Sequence, residues 1–327
     1  YSYSKGEWTT QNLTKLLEIG ISNNTLLKSL NNKQSFNIFK KMKNLFTSNS
    51  IKKSKKQINF HYDIGNKFYE KWLDKTMTYS SGIFEKKNDT LEKAQTNKYK
   101  SLAKLANIKK TDEVLEIGCG WGGFIKYVQT NIGAKITGIT ISERQYNYTK
   151  NLIYKNNKVL FMDYRNLSKT YDKIISIEMF EAVGKKNWDK YFKILNESLN
   201  NKGVAALQII TIDEKIYSSY KNTADFIQKY IFPGGMLPTK KHLSELAKKN
   251  RLQLLEKKSF KGDYAKTLIL WREKFLSKWK DLERMGFDDN FKRLWEFYLS
   301  YCEVGFKAGH IDVSQFIINK EHYEKKY

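Results

Sequence analysis

Proline is nearly missing from this chain: its 327 residues hold two, Pro233 and Pro238, and both stand in the single stretch YIFPGGMLPT. Cysteine is as scarce. Cys119 and Cys302 are too few and too far apart for a disulfide framework or a thiolate metal site, and four scattered histidines add no metal-binding cluster, so no metal is expected. Free thiols fit a reducing cytoplasm. No apolar run approaches the ~20 residues that span a bilayer, and no charged-then-apolar leader stands at the start. The first residue is Tyr1, so the chain reads as a processed or truncated piece of a longer protein. Its length suits one large α/β domain with a smaller helical attachment.

Acidic residues are outnumbered, 34 against 59 Lys and Arg, which leaves a net charge of +25. Such an excess attracts an anionic partner, a nucleic acid or an acidic phospholipid surface. An AT-rich coding bias, visible in the many Lys, Asn and Ile, accounts for it as well. Local clustering says more. FNIFKKMKNLF (Phe36 to Phe46) sets apolar residues at helical spacing beside Lys40, Lys41 and Lys43, and IKKSKK (Ile51 to Lys56) follows. A basic amphipathic stretch of this kind suits a membrane interface or an ordinary surface helix.

From about Thr111 strand-like runs alternate with helical patterns, which predicts βαβ units and a parallel sheet. The expected strands are Glu113 to Ile117, Lys135 to Ile139, Lys158 to Met162, Lys173 to Met179 and Gly203 to Thr211. Helices are expected near Gly122, Ser142 and Asn187, with Ser142 as N-cap and Gln145 completing a capping box. Leu252 to Phe260 and Ala265 to Trp271 read as an antiparallel pair closing the sheet edge. The Pro-Gly-Gly loop, rimmed by Tyr230, Ile231, Phe232 and Met236, reads as a lid or wall, or as a plain turn.

Between the first strand and its helix lies EIGCGWGGF. Gly118, Gly120 and Gly123 satisfy G-x-G-x-x-G, and Glu143 falls about 20 residues on, as a nicotinamide dinucleotide site requires. The acidic residue that should grip the ribose belongs at the tip of the second strand, where Thr140 stands. Glu116 instead points to a ligand with a cationic amino group. No Lys-Ser or Lys-Thr pair closes a phosphate loop. An amino group, a carboxylate for the helix N-terminus and an adenosine fit S-adenosylmethionine better than NAD.

Seven ordered blocks carry a resemblance: HYDIGNKFYEKWLDKTMTYSSGIFE, VLEIGCGWGGF, TGITISERQ, DYRNL, SIEMFEAVG, YIFPGGMLP and YAKTLILW. From about Ile58 to YCEVGFKAGHIDVSQ the chain resembles the cyclopropane-fatty-acid synthases, S-adenosylmethionine-dependent enzymes that modify unsaturated acyl chains of phospholipids. The resemblance implies a Rossmann-like class I methyltransferase fold, a mostly parallel seven-stranded α/β sheet with helices on both faces. Residues 1–57 would be a helical, basic, membrane-facing segment and 58–327 the catalytic domain, with a lid inserted at about 212–250. It places Tyr79, Ser80, Glu116, Gly118, Gly120 and Gly122 at the cofactor. Thr140, Ser142 and Gln145 would serve the ribose, and Asp163, Tyr164 and Arg165 the adenine edge; Ser142 is also explained as a cap and Arg165 as a surface charge. Tyr264 would face a carbocation on the acyl chain, with Phe232 and Tyr230 as neighbours.

In the family a bicarbonate ion removes the proton, and Glu181 and the backbone of Ile210 match two of its holders. Ser81 stands where many members carry cysteine, and Gln208 where they carry histidine; both keep hydrogen-bonding capacity while removing a titratable group. The exchanges leave open how the bicarbonate is held and whether a ring or a methyl or methylene branch results. His61 and Tyr62 read as orienting or packing residues. A small-molecule N-methyltransferase and a non-catalytic RNA- or membrane-docking protein are the competing readings. No RNP-like aromatic block and no Asn-Pro-Pro-aromatic motif supports nucleic acid. The expected partners are unsaturated phospholipid acyl chains, an anionic membrane surface at the inner leaflet, and a second copy of the chain as a homodimer.

Overall fold

A computed structural model describes residues 2–23, 64–154 and 156–320. The basic stretch Phe36 to Lys56, His61 and Tyr62 lie outside the described residues. Helix α1 (Leu13–Ser22) is capped by Asn12, whose side chain accepts from the Lys15 amide. Helices α2 (Asn66–Trp72) and α3 (Leu91–Leu105) precede the sheet. Strands β1 (Glu113–Ile117), β2 (Lys135–Thr140) and β3 (Lys158–Phe161) then alternate with α4 (Gly123–Asn131) and α5 (Glu143–Lys150). Next come β4 (Tyr171–Ile177), the short α6 (Phe180–Val183), α7 (Trp188–Ser198) and β5 (Leu199–Ile212). The chain continues through α8 (Glu214–Tyr220), α9 (Phe226–Tyr230), α10 (Lys240–Lys249), β6 (Leu252–Ser259), α11 (Lys261–Ser277), α12 (Trp279–Glu283), α13 (Asp289–Lys307) and β7 (Ile311–Lys320).

The seven strands form one sheet in the order β3-β2-β1-β4-β5-β7-β6. The first five are parallel, and β7 runs antiparallel to both β5 and β6. This is the class I Rossmann-like methyltransferase arrangement. Because a strand's side chains alternate, Leu115, Ile174 and Leu207 pack into a core on one face, while Val114, Ile175 and Ala206 pack into a core on the other. Strand order reverses between β1 and β4, so a crevice opens beyond their carboxyl ends.

Two expectations need correction. Ala265 to Trp271 is not a strand but the middle of α11. Its run of β-branched and aromatic residues has strand propensity, yet the buried positions Tyr264, Leu268, Trp271 and Phe275 repeat at helical spacing and pack with Trp72 and Trp295. The partner of β6 is β7, in the region of IDVSQFIIN. At Ser142 the cap forms, its side chain accepting from the Gln145 amide, but the box does not close. The Gln145 side chain accepts from Thr140 Oγ1 (2.9 Å) instead, and the Ser142 amide donates to that same Thr140 hydroxyl oxygen. Reciprocal boxes occur at Asp225/Gln228 and Thr239/His242.

Helix α1 is fastened to helices α11 and α13 by a charged network. Arg272 of α11 donates to Glu303 of α13 (2.8 Å) and to Thr14 of α1 (2.7 Å). Lys307 reaches Glu303 (2.6 Å) and Glu18 (3.3 Å). Glu303 is 1% exposed, so its removal leaves cations without their shared anion. Glu303→Ala should lower the free energy of unfolding by about 3 kcal/mol, read from urea denaturation followed by circular dichroism.

Candidate active site

The crevice is a cavity of about 630 Å³. On one side it meets the glycine loop. Gly118, Gly120 and Gly122 all have positive φ, and a Cβ on Gly118 would lie 2.6 Å from Met179 Cγ. A Cβ on Gly120 would touch nothing within 4 Å, which marks an open space over the loop. Gly122 is the N-cap of α4 and packs against Thr149. Glu116, at the end of β1, is 3% exposed and its Oε2 has no hydrogen-bond partner among the described residues. Burial pushes its carboxyl well above the usual range, tempered by Lys98.

Around the same side lie Thr140 with Gln145, and the segment Asp163 to Arg165. Arg165 is not a surface charge: its guanidinium forks onto the Asp163 carboxylate (2.8 and 2.7 Å), and both side chains are nearly buried. Tyr164 lines the cavity, and its hydroxyl has no hydrogen-bond partner. Tyr79 shares a hydrogen bond with Tyr298 (2.7 Å), and Ser80 Oγ accepts from Lys98 (2.5 Å).

The opposite side holds two carboxyl groups three residues apart. Glu178, immediately after β4, has φ +50. Its Oε1 accepts from the Ser81 amide (2.9 Å) and from Gln208 Nε2 (2.7 Å), and its Oε2 accepts from the Tyr264 hydroxyl (2.6 Å). Glu181, in α6, accepts from the Ile210 amide (2.5 Å), and its other oxygen has no partner. Both side chains touch the cavity but are otherwise enclosed by protein. That enclosure raises both carboxyl pKa values, and Glu178 adds to the effect on Glu181, pushed up to about 8. At neutral pH Glu181 therefore holds the proton, while the three donors on Glu178 work against the effect of burial there. Lys98, wholly buried, is pushed down to about 7 by burial and pulled back by Glu178, Asp74 and Glu116.

Most residues singled out from the sequence converge here. Tyr79, Ser80, Glu116, Gly118, Gly120, Thr140 and Gln145 line the cavity, as do Asp163, Tyr164, Arg165, Glu181, Ile210 and Tyr264. Gly122 and Ser142 shape helix starts behind it. Ser81 and Gln208 are fully buried and act through Glu178. Ser81 does so with its amide, because its hydroxyl donates to the Gly82 carbonyl (2.9 Å). Of the two lid aromatics, Phe232 lies beside Tyr79 and Tyr298, whereas Tyr230 is exposed and packs on Phe226 at the end of α9. Sequence reasoning missed Glu178 and Lys98. No local signal marked the first: Ile177 pairs with Gln208, and strand alternation alone would turn the next side chain to the other face.

A family model described as mycolic acid cyclopropane synthetase matches residues 49–316. The tuberculostearic acid methyltransferase UfaA1 of Mycobacterium tuberculosis is 32% identical over 98% of this chain and 78% of its own length. The cyclopropane-fatty-acyl-phospholipid synthase of Escherichia coli K12 is 34% identical over 80% of this chain; the match spans 66% of that relative. Among solved structures, mycolic acid cyclopropane synthase CmaA1 complexed with SAH and CTAB superposes with a TM-score of 0.77 at 28% identity, covering 81% of this chain and 98% of that one.

Because the folded pKa of Glu181 lies above its unfolded value, its contribution to stability is fully present below about pH 4.5 and lost as pH rises to about 8. Glu181→Gln, which does not titrate, removes this loss. The wild-type minus variant difference in unfolding free energy should fall between pH 5 and pH 8 and level off above, as measured by chemical denaturation across that range.

Proposed function

Because the chain belongs to the mycolic acid cyclopropane synthetase family of S-adenosylmethionine-dependent methyltransferases, we propose that it modifies cis double bonds in acyl chains of membrane phospholipids. The one-carbon unit comes from S-adenosylmethionine, and the product is a cyclopropane ring. The observation that carries this reading is a carboxyl pair lining the same apolar cavity as a glycine loop and a buried glutamate whose Oε2 has no partner among the described residues.

The loop fits the cofactor. Glu116 Oε2 lacks a donor and would take the methionine ammonium, and the open face of Gly120 lets backbone amides approach its carboxylate. Thr140 and Gln145 stand where the ribose would lie, and Asp163 to Arg165 where the adenine would. S-adenosylmethionine, when bound, supplies an electrophilic methyl group on a cationic sulfur.

An isolated alkene is a weak nucleophile, so the protein's task is to hold it close and dry. Leu268, Phe306, Ile212 and Phe232 give the cavity walls without nucleophiles. A cation on the acyl chain would be captured by water, and the faces of Tyr264, Tyr79 and Tyr298 stabilise it without attacking. Tyr264 is stacked on Phe306 with centroids 4.1 Å apart, which fixes its ring. Residues 213–239 serve as the lid: the Met236 amide donates to the Glu181 carbonyl (2.9 Å), and the Leu237 amide to the Tyr220 hydroxyl (3.1 Å). Lys240–Lys249, by contrast, packs Leu243 and Ala247 into the core.

Among the described residues no helix is long and apolar enough to cross a membrane. The lipid would be met from an anionic surface, the inner leaflet, by the basic residues 1–57, with no nucleic acid needed and with a homodimer as the working assembly. The bicarbonate that the resemblance implies is taken up below. A second reading, a methyl or methylene branch, is favoured by the likeness to a tuberculostearic acid methyltransferase across nearly the whole chain. Incubation with S-adenosylmethionine and vesicles of cis-unsaturated phospholipid should add the mass of one methylene per alkene. Proton NMR of the lipid then separates upfield ring protons from a branch. Unchanged lipid beside a methylated amine would refute the reading.

A further inference from the structure

The resemblance gives the final deprotonation to a bicarbonate ion with Glu181 and the Ile210 backbone among its holders, and Ser81 and Gln208 stand at two positions where this chain departs from the family pattern. In this chain those donors are already engaged. The Ser81 amide, Gln208 Nε2 and the Tyr264 hydroxyl all donate to Glu178, and the Ile210 amide donates to Glu181. A bicarbonate would have to displace a side chain tethered by three hydrogen bonds and settle beside two carboxyl groups. The donor set does not fit a separate anion.

We propose that Glu178 is the catalytic base of this enzyme, a built-in carboxylate occupying the place of a diffusible bicarbonate. The proposal rests on the reaction proposed above. Three features of the structure support it. Glu178 lines the same cavity as the apolar side chains Leu268 and Phe306 and the glycine loop. The Gln208 amide has its orientation set from behind, since its Oε1 accepts from Gln315 (3.0 Å), whose own oxygen accepts from Ser101 (2.6 Å); its NH₂ group therefore faces Glu178. Finally, Glu178 sits at φ +50, a conformation disfavoured for a residue with a Cβ, and is held there by its own amide donating to the Gln208 carbonyl (2.8 Å). The chain tolerates that conformation at the one position that delivers a carboxylate to these donors.

The step balances with no further reagent. The alkene π pair forms the bond to the incoming methyl carbon while the carbon–sulfur pair leaves with sulfur, and the second alkene carbon becomes cationic. One C–H bond of the new methyl then breaks. Its electron pair closes the third side of the ring, and the proton passes to Glu178 Oε2, the oxygen held by Tyr264. Enclosure raises the proton affinity of this carboxyl, which suits a base, and its three donors oppose that rise.

The test uses the whole chain with S-adenosylmethionine and unsaturated phospholipid vesicles, in buffer freed of carbon dioxide and in the same buffer with added bicarbonate. The wild type should turn over equally in both. Glu178→Gln, which keeps shape and hydrogen bonding, should lower kcat by about 10²–10⁴-fold without rescue. Glu178→Gly is compatible with φ +50 and opens the anion place, so its residual rate should rise saturably with bicarbonate. Carbon-13 bicarbonate NMR should show line broadening by Glu178→Gly and none by the wild type. A wild type that stops without bicarbonate and recovers with it overturns the proposal, as does full activity of Glu178→Gln. If the wild type converts no lipid, the reading of the reaction fails, and the labelled-bicarbonate titration decides the proposal alone: binding by the wild type overturns it, and binding confined to Glu178→Gly supports it.

Discussion

A carboxylate kept away from bulk water at the end of β4 is the constraint around which the rest of this molecule is arranged. Charge in such a place is costly unless donors replace the lost hydration. Glu178 has three, and each comes from a different part of the chain: the segment before α3, strand β5 and helix α11. Its neighbour Glu181 meets the same enclosure with a single donor and answers by keeping its proton. Two carboxyls three residues apart thus meet the same enclosure with different donor sets, three hydrogen bonds at one and one at the other. Lys98 lies beneath, bonded to Ser80 and Gln95 rather than to a carboxylate, and its field reaches Glu178 and Glu116 together.

The sheet makes this possible. Parallel strands end together, and strand order reverses between β1 and β4, so the glycine loop and the carboxyl pair line one crevice. The addition of β7 antiparallel to β5 has its own role. It sets Gln315 opposite Gln208 in register, and that pairing fixes the amide on which Glu178 depends.

The parallel core was legible because its strands are short apolar runs divided by glycine and capped helices, and periodicity identifies such elements without tertiary information. Helix α11 was not, because YAKTLILW is rich in residues that favour strands, and only packing against Trp72 and Trp295 makes its helical spacing decisive. The cofactor side of the site was readable for a related reason: glycines and a cap are local features. Glu178 was hidden by the opposite property. Its meaning lies in contacts with residues 81, 208 and 264, far apart in sequence, and Ser81 and Gln208, read alone, left open how an anion is held while this carboxyl stood one block away.

A carboxylate attached to the chain differs from a borrowed ion in what must be ordered at each turnover. A diffusible anion loses its freedom whenever it enters, whereas the position of Glu178 is settled once, on folding. That advantage holds only if the donors do not drift, and the structure ties them to one another. Thr267 of α11 accepts from the Gly82 amide (3.1 Å), so the peptide after Ser81 is bound to the helix that carries Tyr264. One turn further along, Trp271 lies against Tyr79 and Trp72, and Arg272 anchors the same helix to Glu303. Helix α11 therefore serves two ends at once, holding the phenol against the base and the indole against the aromatic core. The rigidity that a folded protein must have anyway is what spares this site a loosely held anion.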